Sequence, residues 1–169
     1  MFQAYEPEMR VKLIESTTDP VAFDPAKPHS GVQISYASER VAGYDGAVYC
    51  AQIGPRERSE FKLRPFLAFC AAMEGRPYDT GDIARMALDP LHLFCCGDSY
   101  KEFICSQLGC ALEKLEGILP AWVNSKTVTP EDEVSFKIWA EDYSQLSGRP
   151  AALKGFNSID PLKWRGHAA

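Results

Sequence analysis

The chain predicts an α+β protein, a small antiparallel sheet with helices packed on it, and three observations carry that prediction. Short segments of strand character cluster early, at Val11 to Ser16, Gly31 to Ile34 and Ala47 to Ile53. Apolar stripes at helical spacing follow, first Phe66, Phe69, Cys70 and Met73, then Ile104, Leu108, Leu112 and Leu115. Finally, Thr129-Pro130-Glu131-Asp132 is a helix start, with a threonine to cap the first turn and a proline whose missing N–H costs nothing there.

Each element has its own warrant. In Val11 to Ser16, strand alternation sets Val11, Leu13 and Glu15 on one face and Lys12 and Ile14 on the other. Residues Thr17 to Ser30 hold Pro20, Pro25 and Pro28 and read as an irregular excursion with His29 near its end. The Tyr44-Asp45-Gly46 turn leads into the strand ending at Ile53, and the helix after Gly54-Pro55 is opened or kinked by Pro65 and stopped by Gly75 and Pro77. A short helix over Asp82 to Leu88 ends at Asp89-Pro90, because the residue before proline is pushed out of helical geometry. The stripe beginning at Ile104 ends at Gly117 and Pro120. Spacing does not separate a helix from a helix passing into a strand over Val134, Phe136, Ile138 and Trp139. The last segment, 148–169, reads as an irregular tail docked through Leu153, Phe156, Ile159, Leu162 and Trp164.

With 169 residues the chain suits one domain, 1–169, large enough to bury a core. At 46% hydrophobic and 24% charged residues it has the composition of an ordinary water-soluble protein. No apolar run is long enough to span a bilayer, and Glu6, Glu8 and Arg10 interrupt any signal-peptide pattern after Met1, so a cytoplasmic location is expected. The net charge of −5, with basic residues spread thinly, argues against nucleic acid and other polyanionic partners. Six cysteines without an export signal are expected as reduced thiols rather than a disulfide framework. His92, Cys95, Cys96 and Cys110 could be drawn into a zinc site, but no C-x-x-C pair occurs and adjacent cysteines fit two corners of a tetrahedron poorly; no metal and no cofactor are expected.

The chemistry-bearing stretch is Phe103-Ile104-Cys105-Ser106-Gln107-Leu108. A thiol in the first turn of a helix feels the partial positive charge of unpaired N–H groups, which favours the nucleophilic thiolate. Where that helix starts is ambiguous, since Ser99-x-x-Glu102 forms a capping-box pattern; a start there would place Cys105 in the second turn. Cys70, inside its stripe, reads as a core residue.

Phe-Ile-Cys-Ser-Gln-Leu, followed by Gly117-Ile118-Leu119-Pro120 and Thr127-Val128-Thr129-Pro130-Glu131-Asp132, resembles the C-terminal half of the circularly permuted NlpC-type, papain-like cysteine hydrolases. Upstream, Leu13-Ile14-Glu15-Ser16-Thr17-Thr18, Gly31-Val32-Gln33-Ile34, Tyr44-Asp45-Gly46-Ala47-Val48-Tyr49 and Gly75-Arg76-Pro77-Tyr78-Asp79 fall in the family's order, so the resemblance covers most of the chain. Gln107 departs from it, standing where the family usually has glutamate. The resemblance implies a permuted papain-like fold in which the sheet precedes the nucleophile helix, and favours a helix start near Phe103. It implies hydrolysis of an amide or ester through an acyl-enzyme on Cys105, with a small peptide, cell-wall or acyl substrate. It makes Glu15 the residue orienting an imidazole, Ser106 part of the oxyanion cleft with the first N–H groups of the helix, and Tyr78 a cleft-lining residue.

The general base is the difficulty. Of the three histidines, His92 and His167 fall away from the family's histidine position, and His29, in Pro28-His29-Ser30-Gly31-Val32, follows Glu15 where the family's histidine strand precedes it. Aligned on the family, Met1-Phe2-Gln3 falls just beyond that strand, so the expectation is a chain shortened at its N-terminus, with His29 the base candidate within it. A binding module that keeps the cleft without a working triad is the rival expectation.

Overall fold

The computed structural model describes residues 11–19, 30–80 and 104–164. Strand β1 (Lys12–Thr17) pairs antiparallel with β2 (Gly31–Tyr36) in an unbroken register from Lys12↔Tyr36 to Thr17↔Gly31. Helix α1 (Ala37–Gly43) follows β2 directly. Strand β3 (Val48–Ile53) leads to two helices, α2 (Pro55–Glu60) and α3 (Leu63–Met73). The cysteine helix is α4 (Cys105–Leu115); then come a 3-10 turn at Ser125–Thr127, helix α5 (Pro130–Ser135) and strand β4 (Trp139–Ser147). β4 pairs antiparallel with β3, with register shifts at Val48/Tyr49 and Ala51/Ile53.

The α+β class is therefore present, but as two two-stranded sheets instead of one. β4, drawn from the region whose spacing left helix and strand open, completes the second sheet from the far side of α4. Among the described residues no helix is long and apolar enough to cross a membrane.

The alternation expected of β1 is present, with Ile14 on the face that meets the core and Val11, Leu13 and Glu15 on the other. Val11 and Leu13 are exposed, while Ile14 packs with Val32, Leu108, Ala111, Phe69, Met73 and Leu112. Both faces of the segment carry apolar residues, so alternation alone could not say which one meets the core; the long apolar wall of α3 and α4 decides it. Glu15, Gln33 and Ser35 consequently share the opposite face. There Glu15 accepts hydrogen bonds from the Ser35 hydroxyl at 2.7 Å and from Arg40 Nε at 3.0 Å, and Arg40 also meets Asp19 at 2.9 Å.

α4 is the wall between two apolar clusters. Leu108 and Ala111 belong to the one just described, and Cys110 to a second with Leu119, Val123, Val128, Phe136, Ile138 and Trp164. A helix packed on two sides buries more than a single stripe, and Ser106, Gln107, Glu113 and Glu116 are buried as well. Leu115, expected in the stripe, is exposed. Full burial of a side chain such as Leu108 contributes about 1.5–3 kcal/mol.

The stops and caps follow from local chemistry. α3 ends before Gly75 (φ +84°) and α4 before Gly117 (φ +74°), both in the left-handed region that glycine enters without steric cost. Thr129 caps α5 reciprocally: its hydroxyl oxygen accepts from the Asp132 N–H at 3.2 Å, and the Asp132 carboxylate accepts from the Thr129 N–H at 3.0 Å. The tail is irregular, as expected, and docks through Trp164 edge-on to Phe136 and Phe156 edge-on to Tyr143. Leu162, expected to dock, is exposed instead.

Candidate functional site

Cys105 is the first residue of α4, with Ile104 as its extended N-cap. The start is set by Gln107, whose side-chain oxygen accepts from the Ile104 N–H at 3.1 Å. This is half of a capping box made by an amide, which supplies the acceptor without a charge. Residues 99–103 lie outside the described residues, yet α4 begins at Cys105, which leaves the thiol in the first turn.

Cys105 is exposed, whereas Cys70 and Cys110 are buried. Burial pushes the Cys70 thiol up. Four influences act on the Cys105 sulfur. Partial removal from water raises its pKa most, the N–H groups of Ser106 and of Cys105 itself lower it, and the negative charge of Glu133 raises it; the sum lies above the ordinary thiol value. The sequence argument from the helix N-terminus named one term correctly and missed the two that outweigh it.

Tyr78 lies near the thiol. Its phenol is pushed up by burial and then by the neighbouring Cys105 charge. Two anchors hold it there. The Arg76 carbonyl accepts from the Val32 N–H and the Gly75 N–H donates to the Val32 carbonyl, both at 2.8 Å, stitching this segment to the free edge of β2. Gly31 makes the approach possible, since a Cβ there would meet the Arg76 carbonyl oxygen. On the other side Asp79 forms an ion pair with Lys126 at 2.6 Å, both side chains largely buried. Tyr78 is thus near enough to Cys105 to feel its charge.

Ser106 lies beside the thiol, but its side chain serves the fold. The buried hydroxyl donates to the Val128 carbonyl at 2.8 Å, tying α4 to the chain entering α5. Only its backbone N–H faces the sulfur. Glu15 is not brought to Cys105: it sits on the face of β1 turned away from α4, occupied by Ser35 and Arg40. His29 lies outside the described residues, as do His92 and His167 and the loop holding Cys95 and Cys96. Among the described residues no group of three or more histidine, cysteine or acidic side chains is placed to hold a metal ion.

No family model, no curated protein and no solved structure matches this chain. The site has to be read from its own geometry.

That geometry holds residues the sequence did not point to. Glu133, on α5, lays its carboxyl against the backbone of Gly109, where any Cβ would collide with Glu133 Oε1. Gly109 is four residues after Cys105 and Glu113 eight, so all three share one face of α4. Burial pushes the Glu133 carboxyl up to about 8, and burial followed by the Glu133 charge pushes Glu113 well above the carboxylate range. Glu113 Oε2 has no hydrogen-bond partner. The spacing Cys105, Gly109, Glu113 was legible as a shared helical face; Glu133 is a tertiary neighbour that no local signal could have placed.

Proposed function

We propose that this protein is a thiol-dependent hydrolase of an amide or ester bond, working through an acyl-enzyme on Cys105 in a permuted papain-like framework. The observation that carries the reading is a solvent-reachable cysteine at the first position of a largely buried helix, with two backbone N–H groups that stabilise its thiolate. The order of elements supports the framework, because β1 and β2 precede α4 and the helix packs on their sheet. The Cys105 sulfur attacks the acyl carbon, the N–H groups at the start of α4 stabilise the oxyanion, and water releases the acid. Each such donor is worth on the order of 100- to 1,000-fold in rate. The substrate class is a small peptide, a cell-wall peptide or an acyl group.

A binding module that retains the cleft is the second reading, favoured by the thiol's raised pKa. Burst kinetics separate the two. With p-nitrophenyl acetate, a hydrolase releases one equivalent of nitrophenol rapidly and then turns over, and Cys105→Ala abolishes both phases. A module gives the same slow release with and without Cys105.

A further inference from the structure

We infer that the Glu133 carboxyl, lying against α4 in the space left by Gly109 with Glu113 beyond it on the same helix face, is the proton-exchanging partner of the Cys105 thiol. The inference rests on the hydrolase reading for its chemical use, but the coupling itself is tested without turnover.

The argument begins with space. Cβ positions four residues apart on a helix are about 5–6 Å from one another. Glu133 Oε1 lies against the place a Cβ at residue 109 would take, on the order of 5–6 Å from the Cys105 Cβ, where its charge bears on the thiol and one bridging water can carry a proton between them. Gly109 is what admits it. Glycine in a helix interior costs up to about 1 kcal/mol relative to alanine, a cost this helix bears at the one position where a carboxyl lies against it. Glu113 continues the same face, almost fully buried, with one oxygen unpartnered. A buried carboxyl and a half-buried one at close range do not both ionise readily near neutrality, so the pair tends to hold a proton.

The groups of this unit are Cys105 and Glu113 from α4 and Glu133 from α5, with Tyr78 near the thiol and Asp79, the next residue, in its ion pair with Lys126. A carboxyl titrating at about 8 is close to a thiol in proton affinity, which is what an efficient acid–base partner requires. In acyl transfer the S–H proton passes to the Glu133 carboxylate as the sulfur electron pair forms the C–S bond. The bond to the leaving amine or alcohol breaks, its electron pair stays with the leaving group, and Glu133 returns the proton to it. In deacylation water gives its proton to Glu133, its oxygen bonds the acyl carbon, the C–S bond breaks and the sulfur recovers the proton.

The test is the pH profile of Cys105 alkylation by iodoacetamide, followed by peptide mass spectrometry on the full chain, for wild type, Glu133→Gln and Gly109→Ala. A carboxylate at that range suppresses thiolate at least about threefold even at the dielectric of water. Glu133→Gln is therefore expected to lower the alkylation midpoint by about half a pH unit or more and to remove an inflection near pH 8. Gly109→Ala, which keeps the acid but displaces its carboxyl and favours the helix, is expected to move the midpoint the same way, and it decides the matter if the glutamine variant fails to fold. Coincident profiles overturn the inference, even if a Cys105 acyl-enzyme forms. Shifted profiles without any acyl-enzyme establish the coupling and defeat only the hydrolase reading.

Discussion

Raising the pH should destabilise this protein through Glu133, and the size of the effect can be worked out. The carboxyl moves from an ordinary value of 4.5 to about 8 on folding. Between those values the folded chain holds a proton that the unfolded chain has released, so stability falls as pH rises. The contribution is fully present below pH 4.5 and is lost as pH passes through 8. A displacement of about 3.5 pH units at ~1.36 kcal/mol each gives an upper limit on the order of 4–5 kcal/mol, and structural relaxation around the carboxylate brings the expectation to about 2–4 kcal/mol. Glu113, shifted in the same direction, adds to the trend. The assay is urea unfolding at pH 5, 6, 7, 8 and 9. Wild type and Glu133→Gln should have similar midpoints at pH 5, because glutamine mimics the protonated acid. By pH 9 the variant should be the more stable by most of that difference. Parallel stability curves for the two proteins across the range would refute the reasoning and show that the Glu133 carboxyl is solvated in the folded state.

The other expectations concern the groups around the thiol. Cys105→Ser, at an exposed position, should change stability by less than about 0.5 kcal/mol while abolishing turnover, whereas Cys70→Ser sets a hydroxyl in an apolar environment and should cost roughly 1–3 kcal/mol by thermal or urea unfolding. Ser106→Ala leaves the buried Val128 carbonyl without its donor and should cost about 1–3 kcal/mol with the thiol still present, measured by the same unfolding curves. Lys126→Met removes the cation from a largely buried ion pair and should cost about 3–5 kcal/mol, part of which Lys126→Met with Asp79→Leu should recover; equal losses in the single and double variants would show that the ion pair is solvated.

Much of the fold was legible where local chemistry acts alone. Thr129 with Pro130 fixed the start of α5, and Gly75 and Gly117 fixed the ends of α3 and α4, because caps and left-handed residues are decided within a turn. The strands β1 to β3 were readable within a residue or two from their branched and aromatic content. What failed needed partners. Which face of β1 meets the core could not be read, because a strand with apolar residues on both faces does not say which one meets a helix. Leu115 looked like a stripe residue until α4 proved to be packed from two sides, and β4 was hidden because its pairing strand lies more than eighty residues earlier. At the site, the sequence left two starts open for the cysteine helix, and the one that resemblance favoured puts Cys105 in the first turn, as in the structure. Glu133 could not be found, since its place beside the thiol depends on Ser106 tying α4 to Val128 and on the cap that orients α5.

The most direct test of the account is where an acyl group lands. The protein is mixed with p-nitrophenyl acetate, quenched in acid during the burst and digested, and the acetylated peptide is identified by mass spectrometry. The account predicts one acetyl group on Cys105 that disappears with the kinetics of turnover and is absent in Cys105→Ala. Acetylation spread over Cys50 and surface lysines with Cys105 unmodified would contradict it.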